Sequence, residues 1–173
     1  MEETMIRAVV FANNFPAALA GTLADLVPGA VDGVVQRVTV AAPANADEVL
    51  FEVSDDAGAG FVRLEGEFGA RAAQACAGDD QLLLLLAGAR LPLHWHEAAS
   101  DHLRRSPDEV LLIEGENTRL LGARTILALL VPRTHYVSAG GFKAADTDLK
   151  PLLRRLRRSA RVMAVGRDRD RRS

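Results

Sequence analysis

Short apolar runs alternate along the chain with segments whose apolar residues recur every three or four positions, and this alternation predicts its elements. Arg7 to Phe11 is the first run and predicts a strand. Asn13-Asn14-Phe15-Pro16 follows as a turn. Pro16 suits the first turn of a helix, where its missing N–H has no partner to lose. Leu19, Leu23, Leu26 and Val27 then recur at helical spacing until Pro28-Gly29, which reads as the stop. Val34 to Ala41 predicts a second strand. Asp47 and Glu48 put negative charge into the first turn of a second helix, which ends at Gly58. Gly60 to Leu64 predicts a third strand, Glu65 to Gly69 a loop, and Ala70 to Ala77 a short helix.

Gln81 to Leu86 is one polar residue followed by five leucines, bounded by Asp79-Asp80 and Gly88. A run apolar on both faces suits a central strand of a parallel sheet. Leu91-Pro92 opens a predicted helix reaching Arg105, and Val110 to Ile113 predicts a strand. Beyond Ile113 the pattern changes. Leu120 to Val131 is apolar but interrupted by Gly122 and Arg124, and Pro132 to Ala139 reads as a short helix closed by Gly140-Gly141. Phe142 to Thr147 is loop, Asp148 to Ser159 a Leu/Arg helix, and Arg161 to Val165 an edge strand. Strands and helices in alternation imply an open, mostly parallel sheet with helices on both faces. Ligands of such folds bind at the carboxyl ends of the strands. With no repeat and no linker, the expectation is one domain over 1–165 and a basic, disordered tail over 166–173.

Composition narrows this picture. The chain has 173 residues, enough for a buried core, and only 5% are aromatic, so Ala, Val and Leu must fill it. A formal net charge of −2 argues against a polyanion-binding chain as a whole, although ten of the 21 Lys and Arg residues lie from Lys150 onward. No aromatic residues are interleaved with that basic end to stack on bases, which argues against a nucleic-acid partner. Cys76 is the single cysteine, so neither an intrachain disulfide nor a multi-thiolate zinc site can form. A lone cysteine and a start without signal-peptide character lead to the expectation of a cytoplasmic protein with no membrane span.

Four segments carry a resemblance. Val9 to Asn14 precedes a Leu-rich helix. Gly78-Asp79-Asp80-Gln81 runs into the leucines and on through Ala87-Gly88-Ala89-Arg90-Leu91-Pro92 to Trp95. Leu129 to Phe142 ends in Gly-Gly-Phe. Asp146-Thr147-Asp148-Leu149 is followed by Arg154, Arg155 and Leu156. In this order they resemble the family 2 glycosyltransferases, and among them the small radical-SAM/selenodomain-associated transferases. The resemblance implies a three-layer α/β/α domain of the GT-A nucleotide-diphospho-sugar transferase fold. It implies a nucleotide-diphospho-sugar as ligand and Asp146 at the position of the catalytic base. Asn13, Asp47, Arg90, Asp148, Arg154 and Arg155 are the substrate-binding candidates that follow from it. Two of these residues keep a structural alternative: Asp146 as a helix cap, Asp47 as helix N-cap or first-turn charge.

The chain departs from the family at the metal. Where an Asp-containing turn would hold a divalent cation on the leaving diphosphate, this sequence has Leu86-Ala87-Gly88-Ala89. No metal ligand is assigned, and no cofactor is expected. Ala41-Ala42-Pro43 stands where an acidic nucleotide contact belongs. Two readings follow: a degenerate transferase that keeps the fold, and a metal-independent inverting transferase in which Arg90, Arg154 or Arg155 replaces the cation. A different class of reading is a binding or scaffold domain contacting a protein partner or a second copy through its Leu/Arg-rich C-terminal helix. His94 and His96, at i and i+2, diverge on a helix and do not predict a metal site.

Overall fold

A computed structural model describes residues 5–116 and 124–165. Its strands are β1 (Ile6–Phe11), β2 (Arg37–Pro43), β3 (Gly60–Leu64), β4 (Gln81–Leu86), β5 (Val110–Glu116), β6 (Arg124–Val131) and β7 (Val162–Val165). The helices are α1 (Pro16–Val31), α2 (Glu48–Asp56), α3 (Phe68–Ala75), α4 (Trp95–Arg105), α5 (Arg133–Ser138) and α6 (Lys150–Ser159). The strands form one sheet in the order β3-β2-β1-β4-β6-β5-β7. β1 to β4 are mutually parallel, β6 runs antiparallel to both β4 and β5, and β7 lies parallel to β5 on the edge. The sheet is thus mostly parallel, with one reversed strand.

The leucine run lies where its two-sided apolarity demands, between β1 and β6. Leu83 and Leu85 face one core layer and Leu82 and Leu84 the other. The first layer is closed by α1, α2 and α4 through Leu19, Leu23, Leu50, Trp95 and Ala99. The second is closed by α3, α5 and α6 through Ala72, Tyr136, Leu152, Leu153 and Leu156. Helices on both faces of an open sheet give the expected three layers.

Several boundaries differ from the sequence reading. α1 does not stop at Pro28 but runs through it to Val31. Proline cannot bond to the carbonyl four residues back and loosens the turn there. In that turn the carbonyl of Asp25 accepts a bond from Trp95 Nε1 at 2.8 Å, and the Trp95 ring lies against Gly29. α4 starts at Trp95 rather than Leu91, because the Leu91 N–H is bonded to Asp25 of α1 instead of joining a helix. The interrupted apolar stretch contains the reversed strand β6, whose exposed first residues Arg124 and Thr125 break the alternation. The leucines of α6 are buried, with Leu152 and Leu156 at 0% exposure. Only the arginine side of that helix therefore meets solvent, and the leucines are spent on the core rather than presented to a partner. The tail 166–173 lies outside the described residues. Among those described, no helix is long and apolar enough to cross a membrane.

Candidate functional site

Parallel strands deliver their exit loops to one end of the sheet, and several of the predicted site residues lie in those loops. Asn13 follows β1, Asp47 follows β2, and Gly88 and Arg90 follow β4. The Gly141–Asp146 loop reaches the same end from the other layer. Phe142 packs edge-on to Phe11 at 5.6 Å, and both contact Phe68 at the start of α3. Phe11 is the last residue of β1 and pairs in register with Leu86, the last of β4. The β4 exit turn and the loop carrying Asp146 thus border one end of the molecule. The first is folded toward α1 and the second toward α3.

The β4 exit turn is pinned to α1. Thr22, fully buried, accepts a hydrogen bond from the Gly88 N–H at 2.9 Å and donates to the Ala89 carbonyl at 2.9 Å. Asn13 donates to the Ala87 carbonyl at 3.2 Å, while its own carbonyl oxygen accepts from Phe15 N–H. Gly88 itself has φ +100°, a backbone state that side chains rarely adopt. Arg90 is clasped by Asp25 through Nε at 2.8 Å and Nη2 at 3.2 Å, and Asp25 also accepts the Leu91 N–H. Thr22 and Asp25, which organise this turn, were not among the predicted site residues. The only sequence signal for them is a polar residue set into, or next to, the buried stripe Leu19-Leu23-Leu26.

Asp146 is buried, 5% exposed, and fully engaged. Arg155 grips it bidentately, Nη1 to Oδ1 at 3.0 Å and Nη2 to Oδ2, and the Lys143 N–H donates to Oδ2 at 2.9 Å. The paired guanidinium holds the Asp146 carboxyl below the usual carboxylate range, outweighing the burial that would raise it. Arg155 Nη2 also donates to the Gly141 carbonyl, so one ion pair ties both ends of the loop to α6. Beneath it, Gly69 lies so close that a Cβ there would fall 1.9 Å from the Lys143 carbonyl oxygen. Asp146 does not cap α6; that turn is set by Asp148, whose Oδ1 accepts the Lys150 N–H at 2.8 Å. Asp47 accepts the Val49 N–H at the start of α2. Arg154 points to solvent from α6, so it and Arg155 do not form one cluster.

Comparison with solved structures adds the decisive likeness. 4-Diphosphocytidyl-2C-methyl-D-erythritol synthase from Anaerococcus prevotii superposes with a TM-score of 0.63 at 11% identity, covering 94% of this chain and 88% of that one. Glucosyl-3-phosphoglycerate synthase from Mycobacterium tuberculosis, solved with Mn2+, uridine diphosphate and phosphoglyceric acid, gives 0.64 at 16% identity over 94% and 68%. S. aureus TarS gives 0.67 at 11% identity over 95% and 58%. The fold is GT-A. At these identities the likeness is one of fold, and the chain spans only about three-fifths of the TarS chain. The comparisons favour no particular branch of the transferases and do not single out the radical-SAM-associated one. No protein-family model and no curated protein matches the sequence.

The GT-A fold implies a divalent cation, and the donor set can be tested for it. The β4 exit turn supplies no carboxylate, and both oxygens of Asp25, bonded to that loop, are occupied by Arg90 and Leu91. Among the described residues no group of three or more His, Cys, Asp and Glu side chains could hold a metal ion. The residues do not fit the ion. A groove of about 320 Å³ between the C-terminal half of α1 and the amino ends of β2 and β3 lies at the opposite end of the sheet and belongs to no part of this site.

Proposed function

We propose that this chain is a glycosyltransferase-like domain that retains nucleotide-diphosphate recognition at the carboxyl end of its sheet but has lost metal-assisted sugar transfer. One observation carries the reading: the carboxylate in the position of the base is consumed by Arg155 and the Lys143 N–H. A general base needs a free lone pair directed at the attacking hydroxyl and a proton affinity near the working pH. Asp146 has its oxygens engaged and its affinity for a proton lowered. The β4 exit turn adds no compensating charge, since its Gly88 N–H is already bonded to Thr22. Unpaired positive charge at this end comes instead from the exposed side chain of Lys143; Arg90 is turned down along α1 and paired with Asp25.

Thermal melting with uridine, cytidine and guanosine diphosphates, each with and without Mn2+, tests the proposal. The expected result is a rise in Tm with at least one nucleotide that is the same with and without metal, together with no sugar transfer from the matching donor. A shift that requires Mn2+ would overturn it.

A second reading keeps activity: metal-independent inverting transfer with Asp146 as base and Arg90, Arg154 or Arg155 in place of the cation. In its favour, Asp146 lies in a loop at the carboxyl end of the sheet. It requires Arg155 to release the carboxylate on substrate binding. Turnover by the wild type that vanishes in Asp146→Asn under conditions where circular dichroism shows the variant folded would establish it.

A further inference from the structure

Two helices of this chain carry the same charge spacing with opposite sign. On α6, Lys150, Arg154, Arg157 and Arg158 are all exposed, and on α2, Glu48, Glu52, Asp55 and Asp56 are all exposed. Each set occupies positions i, i+4, i+7 and i+8, one stripe along a helix, and spans about 12 Å at 1.5 Å per residue. Laid side by side in the same direction, the stripes bring four opposite charges into register.

The two stripes cannot meet within one molecule. Leu50 of α2 belongs to the core layer on one face of the sheet, whereas Leu152, Leu153 and Leu156 of α6 belong to the layer on the other. Nor are the stripes neutralised locally. Among the described residues only Glu48 has a counter-ion, Arg63 at 2.9 Å, and none of the four α6 cations has one. The acidic stripe is also unfavourable where it stands. Asp55 and Asp56 close the C-terminal end of α2, where the helix dipole is negative, and the last turn holds no basic residue. An external row of cations would relieve that repulsion, and α6 provides one of matching length.

We infer that α2 of one copy docks against α6 of the next, giving a head-to-tail contact between copies of this chain. Because the two surfaces differ, the contact is heterologous and propagates into a ring or an open chain rather than closing as a two-fold dimer. The pairs are exposed, so the association is weak and governed by screening, whose length falls from about 30 Å at 0.01 M salt to about 3 Å at 1 M.

Sedimentation velocity of the intact chain over rising concentration tests this in low and high salt. At about 0.01 M salt the weight-average sedimentation coefficient should climb with concentration, and at about 1 M it should stay at the monomer value. Two neutralised variants separate the halves of the contact: Arg154→Gln/Arg157→Gln/Arg158→Gln, and Glu52→Gln/Asp55→Asn/Asp56→Asn. Each alone should remain monomeric. An equimolar mixture should reach a heterodimer and no further, since one intact acidic stripe and one intact basic stripe remain. All substitutions are on exposed positions, and far-ultraviolet circular dichroism checks that each variant is folded. A monomer at every low-salt concentration, association that survives high salt, or a variant that associates like the wild type would each overturn the inference. So would a wild type that stays monomeric while binding a single-stranded oligonucleotide or anionic vesicles through the α6 arginines.

Discussion

Asp146, Gly69 and Cys76 act on the structure through single contacts, and each yields a measurable consequence. Asp146→Asn leaves the Arg155 guanidinium partly buried without its counter-charge, and breaking such a pair costs about 3 kcal/mol. Chemical denaturation should register that loss as a lower midpoint with an unchanged slope. The pH dependence has a definite sign. The folded carboxyl titrates below the ~3.9 of an unfolded aspartate, so its contribution is complete above about pH 4 and drains away as pH falls through the lower folded value. Tm of the wild type should therefore fall more steeply under acid than that of Asp146→Asn. Gly69→Ala drives a methyl group into the Lys143 carbonyl and should destabilise by about 3 kcal/mol, read from the same denaturation curves. The Cys76 thiol is fully buried and pushed up to about 12, chiefly by burial. Native protein should not react with an aromatic disulfide reagent at pH 8, while unfolded protein should react fully.

Elements show which parts of the chain were legible as sequence. The leucines from Leu82 announced a strand buried on both faces, and Leu152, Leu153 and Leu156 announced a helix with one apolar side. Periodicity reads correctly when a single packing environment decides every position. It failed at α1, where Pro28 looked like a stop. The Trp95 indole bonds to the Asp25 carbonyl and packs on Gly29, a tertiary contact that no local pattern carries. β6 was obscured because its exposed end, Arg124 and Thr125, breaks the alternation that its buried half keeps. α6 itself makes a clean contrast: Leu156→Ala should cost about 2–5 kcal/mol by cavity formation, whereas Arg157→Ala should change stability by less than about 0.5 kcal/mol. Urea denaturation of the two variants checks both.

On the scale of the molecule, the order of elements was enough to specify three layers and a mostly parallel sheet, because short connections and crossover handedness leave few other arrangements. The reversal of one strand was not legible, since pairing direction depends on partners distant in sequence. The candidate site was legible only as a location. Asn13, Asp47 and Asp146 lie in loops at the carboxyl end of the sheet, while the Arg90 side chain is drawn down along α1. Their bonds to Ala87, Val49, Asp25 and Arg155 are long-range or conformational facts that spacing does not encode. The same is true of Thr22 and Asp25, which hold the β4 exit turn in place.

That turn has a consequence for engineering this protein. An aspartate at position 88 would have to adopt φ +100°, which a side chain resists. Gly88→Asp should therefore loosen the loop rather than recruit Mn2+, and added metal should leave its Tm unchanged. One added carboxylate therefore does not make a cation site of this turn; the backbone itself would have to be re-routed by changes at several positions together.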